Sequence, residues 1–509
     1  MAADWIGPFS PNEFLKELMP ITDEVLGQMR QDVKFSLPVH KDDAQVESHL
    51  YELFEKTIRD YELSSKFKFF IIVDDKSKGG DIAYRPDGGF KELSSMLVPT
   101  CDYNTRAKTQ TTEGLDPADE TSKESAGQGQ DERKAFNWSQ DGLVVVFKKF
   151  YSLDPFWSTS AIEKAAASRK GDKKNMPVTF PKLTDSALKV RGQLAIYANY
   201  AFTYQHRTHL FQLLVCGRHA RFLFWDHSGA IVSDSFDYVQ QPLLLAEFFW
   251  RYNYMTPAAR GWDASVKLAN PDQKKKFATA VKQLLKNMKD PKHPQYNLPH
   301  ADHTLDEHHP VFKITVVDDV TGMPVDVLVQ RPFFRSHSAL GRATRGYIAY
   351  HPTQRILMFL KDTWRVDHNR LIPERTLCRQ LVEAEVPFVP QIIWGGDVLV
   401  NEERGITRCL KWAAAQTLPV GLGHPRVLVQ HRMLSKLAYP VTSAPNSSVM
   451  VKGFRDSIVA MDKAKELCNL VHRDISIGNI MLTGDKDCKG ILADWDHAGK
   501  AEPPVGVAP

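Results

Sequence analysis

The chain has 509 residues, of which 43% are hydrophobic and 25% are charged, and its formal net charge is +4. The length predicts more than one domain, and the composition is that of a soluble globular protein. The small net charge makes nucleic acid an unlikely partner, and no run of about 18 apolar residues predicts a membrane-spanning helix. The six cysteines are scattered without a C-x-x-C pair, which favours an intracellular protein, cytoplasmic or nuclear, and argues against structural zinc.

The first 288 residues predict an N-terminal α/β domain. Apolar residues recur at helical spacing between residues 11 and 66, and the apolar runs 69–73 and 142–148 predict strands. Residues 102–135 contain hardly any apolar residue and cannot repay the entropy cost of ordering, so they predict a disordered insertion. The later predicted elements are a helix near 193–205, a hairpin of strands 210–216 and 221–226, and helices near 242–256 and 272–288.

Three short segments of this domain resemble the pattern of PD-(D/E)XK nucleases. Arg85-Pro86-Asp87 precedes the strand that ends in Val146-Phe147-Lys148, and Gln193 and Tyr197 have the spacing of a Q-x-x-x-Y helix. Such nucleases need an acidic residue where this chain has Val146, and a valine cannot bind a metal ion. We therefore expect no nuclease activity. A degenerate nuclease-like domain and an ordinary α/β domain, in which Lys148 and Gln193 only support the fold, both stay open.

Residues 289–310 are rich in His, Pro and Asp and predict a linker to a second domain at 311–509. The spacing of their histidines matches no familiar metal site, and no cysteine accompanies them. A solvated linker therefore explains this segment better than a metal centre does. The histidines are His293, His300, His303, His308 and His309.

The second domain begins with a segment that predicts a hairpin over the phosphates of a nucleotide such as ATP. Glycines let backbone amides approach phosphates closely, and Gly341 and Gly346 flank Thr344 in residues 340–347. We expect these three residues to contact the nucleotide. Two glycines five positions apart are also common in ordinary turns. The nucleotide-binding interpretation of this segment therefore depends on the elements that follow it in the chain.

The next two predicted elements supply a cation and its partner. The apolar strand 356–361 ends in Lys361, which we expect to contact the phosphates. A helix that begins at Pro373 carries Glu374, the expected partner of Lys361. An acid at a helix N-terminus also has a purely structural explanation, because it complements the helix dipole.

A strand at 426–434 and a helix at 451–470 follow. The helix is predicted from apolar residues that recur every three or four positions, which indicates one buried face. Those residues are Val451, Phe454, Ile458, Met461, Ala464, Leu467 and Leu470.

Residues 472–479 have the pattern H-R-D-x-x-x-x-N of a phosphotransfer catalytic loop. In that chemistry an Asp accepts the proton of the attacking hydroxyl, and an Asn helps to hold a metal ion on the phosphates. We therefore expect Asp474 to be the base and Arg473 to neutralise nearby acids. Asp494 ends an apolar strand fifteen residues after Asn479, so Asn479 and Asp494 predict a Mg²⁺ site.

With these motifs the chain resembles the fungal-type protein kinase family. The likeness rests on the loop at 472–480, on the D-W-D variant of D-F-G at Asp494–Asp496, and on the paired segments Gly341-Arg342-x-Thr344 and Lys361-Asp362-x-Trp364. The resemblance implies a serine/threonine protein kinase with ATP, Mg²⁺ and a protein substrate. It also implies an α+β fold, with a two-lobed kinase-like domain preceded by the N-terminal α/β domain.

Two features depart from a typical protein kinase. Ser476 stands where such kinases carry a Lys, and a serine cannot supply the positive charge that screens the transferred phosphate. Only thirteen residues follow Asp496, so we expect an incomplete C-lobe, truncated after the D-F-G equivalent. Two alternatives stay open: a weak or inactive pseudokinase that binds nucleotide as a scaffold, and a small-molecule phosphotransferase, over which the H-R-D triplet favours a protein kinase.

Overall fold

The protein has a mixed α/β fold in its structure, which is a computed structural model. Its contacts divide the chain into two compact units, the first ending at Trp262 and the second beginning at Asp263. Among the described helices, none combines the length and the apolar character needed to cross a membrane. The described residues are 5–37, 46–71, 88–92, 142–168, 180–290, 304–306, 309–336, 338, 340–369, 371–400, 402–410, 426–484 and 487–501.

The first unit is built on one large sheet with helices packed against it. Its described strands are β1 (Trp5–Phe9), β2 (Phe67–Ile71), β3 (Gly88–Glu92), β4 (Leu143–Lys148), β5 (His209–Cys216), β6 (His219–Asp226), β7 (Gly229–Ser233) and β8 (Phe236–Asp237). Its described helices are α1 (Pro11–Leu18), α2 (Asp23–Gly27), α3 (Val46–Asp60), α4 (Thr159–Ser168), α5 (Asp185–Tyr204) and α6 (Pro242–Tyr254). The strand order is β1-β7-β6-β5-β4-β3-β2, and β8 pairs with β6.

The centre of this sheet follows the sequence prediction closely. Strand β4 runs parallel to β5, and β5 and β6 form the predicted antiparallel hairpin. The hairpin turns at Gly217, whose φ of +59° is a conformation that glycine adopts without steric cost. Helix α5 begins well before the predicted residue 193 because Thr184 caps it: the Thr184 hydroxyl accepts a hydrogen bond from the Ala187 N–H at 3.3 Å.

The second unit contains a mainly antiparallel sheet and three smaller ones. Its described strands are β9 (Val266–Leu268), β10 (Phe312–Val317), β11 (Pro324–Val329), β12 (Phe334–Arg335), β13 (Arg345–His351), β14 (Ile356–Val366), β15 (Ile392–Asp397), β16 (Leu399–Val400), β17 (Glu403–Arg404), β18 (Leu428–Lys436), β19 (Ala438–Pro440), β20 (Leu470–Val471), β21 (Ile480–Thr483), β22 (Gly490–Leu492) and β23 (Gly499–Lys500). Its described helices are α7 (Pro271–Lys289), α8 (Glu374–Glu383) and α9 (Ser447–Cys468). The main sheet has the order β15-β18-β14-β13-β11-β10-β9, and β12 pairs with β13; the small sheets are β16-β17, β19-β21-β22 and β20-β23.

The two faces of the main sheet differ because side chains alternate along each strand. Met358 and Leu360 of β14 belong to a buried apolar core on one face. Lys361 therefore points to the opposite face, with Gly346 of β13 and Met433 of β18 directly across from it. Helix α7 packs on β11 and β14, where its Phe277, Val281 and Leu284 join apolar clusters with Leu328, Ile348 and Tyr350.

Helix α9 buries only part of the predicted face: Ala464 is buried, and Phe454 and Met461 pack against the same apolar core. Val451, Ile458 and Leu467, predicted to be buried, are 64%, 60% and 50% exposed. The buried positions are the small or polar residues Gly453, Asp456, Ser457, Ala460 and Ala464. These short side chains allow the helix to pack close to β22. At this contact the Asp456 carboxylate accepts a hydrogen bond from the Gly490 N–H at 2.9 Å. Close backbone packing, which apolar periodicity does not reveal, selects this face.

Strand β9 and helix α7 belong to the second unit by their contacts, since β9 pairs with β10. The sequence predicts a boundary later in the chain, at the linker 289–310, and that division into domains stays a prediction. The predicted disordered insertion 102–135 lies outside the described residues, as do Arg85-Pro86-Asp87 and the histidines His293, His300, His303 and His308.

Candidate active site

The candidate site centres on Lys361, which lies within β14 rather than at its end. The Lys361 ammonium is 2.7 Å from Glu374 Oε2 and 2.5 Å from Asp494 Oδ1. The side chain of Lys361 is 13% exposed and that of Glu374 is 8% exposed. Three residues that the sequence singled out are thus brought together across more than 130 positions of the chain.

Local structure holds each of the two carboxylates in place. Pro373 is the N-cap of α8, with φ −57° and ψ 141°, so Glu374 is the first residue of that helix. Asp494 follows β22 in a left-handed conformation with φ 67°, which turns the chain sharply after the strand. The next residue, Trp495, is fully buried, and its indole N–H donates to the Leu492 carbonyl at 2.7 Å. The turn that presents Asp494 is therefore anchored by a buried side chain.

Each of these charged groups shifts the pKa of its neighbours. Burial raises the pKa of Glu374, against the opposing effect of the Lys361 ammonium. Burial also disfavours the charged forms of Lys361 and Asp494, but the neighbouring opposite charges outweigh it. The three carboxylates of Glu374, Asp494 and Asp496 raise the pKa of Lys361, and Lys361 lowers the pKa of Asp494. Three carboxylates therefore share one buried ammonium, which leaves excess negative charge.

Asp496 and Arg342 are site residues to which the sequence analysis assigned no role. Asp496 Oδ2 lies 3.8 Å from the Lys361 ammonium and forms an ion pair with the Arg342 guanidinium. Asp496 Oδ1 is buried and has no hydrogen-bond partner among the described residues. The D-W-D spacing places Asp494 and Asp496 on either side of the buried Trp495. That spacing, together with the arginine after Gly341, was the signal available in the sequence.

The predicted glycine-containing hairpin is the loop between β12 and β13. Gly341 has φ +84°, a left-handed conformation that favours glycine, and a side chain there would meet no atom within 4 Å. Thr344 does not point outward, because its hydroxyl lies 2.8 Å from that of Thr363. Gly346 lies on the sheet between Phe334 and Lys361, the residues paired with it on the adjacent strands. The loop is thus fastened to β14 beside Lys361.

The loop at 472–479 brings Asp474 and Asn479 together. The Asn479 side-chain amide donates to the Asp474 carbonyl at 2.9 Å and to Asp474 Oδ2 at 3.3 Å. The backbone carbonyl of Asn479 accepts from the Ala493 N–H at 2.8 Å, next to Asp494 in the chain. The amide of Asn479 thus sets the orientation of the Asp474 carboxylate, and its backbone links the loop to the D-W-D segment.

His472 forms a second link between the two motifs. Its buried ring packs edge-on against Trp495, with ring centroids 4.7 Å apart. Its Nε2 lies 2.9 Å from the Ala493 carbonyl, and its Nδ1 accepts from the Asp474 N–H at 3.3 Å. Burial lowers the pKa of His472, which favours the neutral ring that these two hydrogen bonds require.

Arg473 lies apart from the carboxylate cluster. It has φ +68°, its side chain is exposed, and its guanidinium donates to the Lys500 carbonyl at 2.9 Å. A side chain on Gly499 would collide with this guanidinium at 2.7 Å. Within the described residues Arg473 therefore supports the pairing of β20 with β23, and its predicted neutralising role stays a prediction.

A cavity adjoins the cluster on the Lys361 face of the sheet. Arg342, Glu374 and Asp496 of the cluster line one side of it. Its other side includes Arg365 and His431, which both bond to the Asp397 carboxylate at 2.6–2.9 Å. The cavity thus has charged walls at the end nearest Lys361.

The donor set of the cluster fits Mg²⁺. Carboxylate oxygens of Glu374, Asp494 and Asp496 all lie within 4.8 Å of one another, and Mg²⁺ prefers such hard oxygen ligands. Asp496 Oδ1 is buried and accepts no hydrogen bond among the described residues, although His497 Nε2 lies 3.9 Å away, and a cation would satisfy such an atom. Asp494 and Asp496 are therefore the best-placed metal ligands, and Asn479 is held beside them by its backbone.

The nuclease-like residues of the first unit do not form such a cluster in the described part of the chain. Val146 is fully buried in β4, Lys148 ends that strand, and the Gln193 amide donates to the Tyr197 hydroxyl at 2.7 Å on α5. The metal-capable group of acidic, histidine or cysteine side chains found among the described residues is the one in the second unit. The nuclease-like interpretation stays a prediction.

A sequence model of the family described as fungal protein kinase matches residues 176–504, which is more than half of the chain. The match includes the whole carboxylate cluster, the loop between β12 and β13, and the loop at 472–479. No curated protein matches the chain.

Proposed function

The chain belongs to the fungal protein kinase family, and on that basis we propose that it transfers the γ-phosphate of ATP to a serine or threonine hydroxyl of a protein. The observation that carries the proposal is the buried ion pair of Lys361 with Glu374, 2.7 Å apart, beside the paired acids Asp494 and Asp496. A buried ammonium surrounded by metal-binding carboxylates suits a triphosphate–metal complex, because such catalysis depends on positioning and charge.

Lys361 is the residue proposed to hold the phosphate chain. Its ammonium stays charged because three carboxylates surround it. Glu374 fixes the direction of the ammonium from the first turn of α8, so the cation does not need to be ordered when nucleotide binds. The loop that contains Gly341 lies beside this cation and supplies backbone amides to the same phosphates.

Asp474 is the proposed base. The acceptor hydroxyl oxygen attacks the γ-phosphorus, the bond from that phosphorus to the β–γ bridging oxygen breaks, and the hydroxyl proton passes to an Asp474 carboxylate oxygen. The Asn479 amide, 3.3 Å from Asp474 Oδ2, orients the carboxylate for this role. ADP leaves with the bridging oxygen, and the phosphorylated hydroxyl is released.

Asp494, Asp496 and Asn479 are the residues proposed to hold Mg²⁺. If bound by these residues, the cation would supply positive charge that offsets the charge of the phosphates. Asp494 also forms an ion pair with the Lys361 ammonium at 2.5 Å, so one carboxylate serves both the proposed metal site and the proposed phosphate-binding cation. We therefore expect metal binding and nucleotide binding to depend strongly on each other.

The test is γ-phosphate transfer from labelled ATP to a generic basic protein, with and without Mg²⁺. The purified chain is compared with Asp474→Ala and Asp494→Ala, and binding of the nucleotide is measured separately for all three proteins. Transfer that both substitutions abolish would support the kinase, and Asp474→Ala should lose transfer while keeping nucleotide binding. Transfer that persists in both variants would refute the proposed roles.

A nucleotide-binding scaffold is the second candidate, because two observations favour it. The catalytic loop carries Ser476 in place of a cation, and Lys361 is engaged by the metal-binding acid Asp494. In the same experiment, Mg²⁺-dependent ATP binding without transfer would support the scaffold. Absence of both binding and transfer in the unsubstituted chain would contradict both candidates.

A further inference from the structure

The catalytic loop lacks a cation for the transferred phosphate, and the structure contains a second cation close to the carboxylate cluster. Between Asp474 and Asn479 the side chains are Ile475, Ser476 and Ile477 with Gly478, none of which is basic. A phosphoryl group in transit carries negative charge that a preorganised cation stabilises. Lys361 is already bound by Glu374 at 2.7 Å, so it is only partly free to meet this demand.

Arg342 is placed to supply the missing charge. Its guanidinium forms an ion pair with Asp496, lies 3.5 Å from His497 Nδ1, and lines the cavity that adjoins the cluster. Asp496 in turn lies 3.8 Å from the Lys361 ammonium. The positive end of Arg342 therefore reaches the same group of carboxylates that would receive the metal–nucleotide complex.

The backbone of Arg342 is anchored to β14, and its side chain is partly exposed. The Arg342 carbonyl accepts from the Trp364 N–H at 2.8 Å and from the Thr363 hydroxyl at 3.2 Å, both on β14 just beyond Lys361. The side chain is 38% exposed, compared with 13% for Lys361. An arginine with an anchored Cα and a half-exposed guanidinium can exchange one anion for another without rearrangement of the loop.

We propose that Arg342 is the phosphate-binding cation of this site. Asp496 holds the Arg342 guanidinium until the phosphates of a nucleoside triphosphate replace that carboxylate as its partner. The proposal rests on the proposed nucleotide-binding function and identifies the residue that binds the terminal phosphate. If Asp496 were to bind a metal ion, the Arg342 guanidinium would be free to donate two parallel hydrogen bonds to the γ-phosphate. Arg342 thereby takes over the role that Ser476 cannot fill.

This role predicts selectivity for the number of phosphates. Adenosine, ADP and ATP are titrated with Mg²⁺ onto the unsubstituted chain and onto Arg342→Gln. We expect Arg342→Gln to weaken ATP binding by about 10- to 100-fold, with little change for ADP and none for adenosine, since a charge-assisted pair to the terminal phosphate is lost. An unchanged ratio of ATP to ADP affinity would overturn the proposal. Lack of ATP binding by the unsubstituted chain would instead overturn the proposed function on which it rests.

Arg365→Gln is the matched control. Arg365 lines the same cavity and has the same charge, but both its Nε and Nη2 atoms are bonded to Asp397, at 2.9 and 2.6 Å, rather than to the cluster. We expect Arg365→Gln to leave the ATP-to-ADP ratio unchanged. Equal loss of ATP selectivity in both variants would mean that only the total charge of the cavity matters, which would overturn the specific role of Arg342.

A second experiment tests whether Asp496 holds Arg342 away from the nucleotide. Its expected result is tighter ATP binding, which a misfolded variant cannot produce. Without Mg²⁺, Asp496→Asn should bind ATP several-fold more tightly than the unsubstituted chain, because Arg342 is no longer held by a carboxylate. The double variant Arg342→Gln/Asp496→Asn should lose that gain. A gain that persists in the double variant, or no gain at all, would show that Asp496 does not withhold Arg342.

Discussion

The ammonium of Lys361 lies 2.5 Å from Asp494 Oδ1, although 133 residues separate them in the chain. This contact joins the main sheet to the turn after β22, so the proposed phosphate-binding and metal-binding residues form one electrostatic unit. Glu374 completes it from α8 at 2.7 Å. A change to any of the three residues is therefore expected to alter both the stability of the second unit and its affinity for nucleotide.

Lys361→Met tests the stability part of this coupling. The substitution leaves the Glu374 side chain, which is 8% exposed, without its cation, and removing one partner of a buried ion pair costs about 3 kcal/mol. We expect the free energy of unfolding from denaturant titration to fall by about that amount. Lys361→Met/Glu374→Gln should recover much of the loss, because the charge of Glu374, the most buried of the three carboxylates, is removed together with its cation. Equal destabilisation by the single and double variants would contradict the ion-pair explanation.

The link through His472 predicts a dependence of stability on pH. Burial lowers the pKa of His472 below its ordinary value of 6.5, so the unfolded chain binds a proton at a pH where the folded chain does not. The contribution of His472 is therefore complete above about pH 6.5 and is lost as the pH falls through the folded pKa. Urea unfolding midpoints between pH 8 and pH 5 should decline less steeply in His472→Asn. A parallel decline in both proteins would assign the acid sensitivity to other groups.

A buried polar cluster on the other face of the main sheet gives a third prediction. Arg432 is fully buried, 2.6 Å from Asp263 Oδ2 and 3.2 Å from Asp362 Oδ1. Arg432→Met would remove the cation that bonds to both buried carboxylates, and we expect a loss of about 3–5 kcal/mol in the free energy of unfolding. Arg432→Met/Asp263→Asn/Asp362→Asn should be more stable than Arg432→Met. If the triple variant is the least stable, the hydrogen bonds rather than the charges hold this cluster together.

The sequence singled out three residues that the structure brings together, but it did not reveal the packing around them. Lys361, Glu374 and Asp494 could be found because phosphotransfer chemistry demands specific residue types at characteristic spacings. Arg342 and Asp496 were quoted within motifs, but their ion pair depends on how the loop before β13 folds over β14, which no local pattern encodes. The end of β14 at Val366 rather than at Lys361 has a similar cause, since nine residues of β14 pair with β18 along its length.

Helix α9 shows why apolar periodicity misled. Val451 and Ile458 have the spacing of a buried face, yet both are exposed, and the small residues of the helix turn inward because β22 approaches its backbone. The decisive residue is Gly490, which faces the backbone of α9 at Gly453. A Cβ on Gly490 would lie 2.6 Å from the Gly453 carbonyl oxygen and 2.8 Å from Asp456 Cβ. Such contact between main chains depends on tertiary structure and leaves little trace in hydrophobicity.

Gly490→Ala is the prediction that follows from this packing. The added methyl group has no room between α9 and β22, and forcing extra atoms into a packed interior costs about 1–3 kcal/mol. It would also strain the hydrogen bond from the Gly490 N–H to Asp456, 2.9 Å long. We therefore expect a lower unfolding midpoint for the second unit. Because β22 leads directly to Asp494, nucleotide affinity should fall in the same variant.

Gly192→Ala serves as the control for the same chemical change. Gly192 lies in helix α5 of the first unit, and a Cβ there would meet no atom within 4 Å. Alanine is the better helix former by about 1 kcal/mol, so this variant should be slightly stabilised. Opposite shifts of the unfolding midpoint in the two variants would support close packing at Gly490. A neutral or stabilising effect of Gly490→Ala would mean that α9 and β22 lie farther apart than the structure has them, and the proposed coupling to Asp494 would lose its basis.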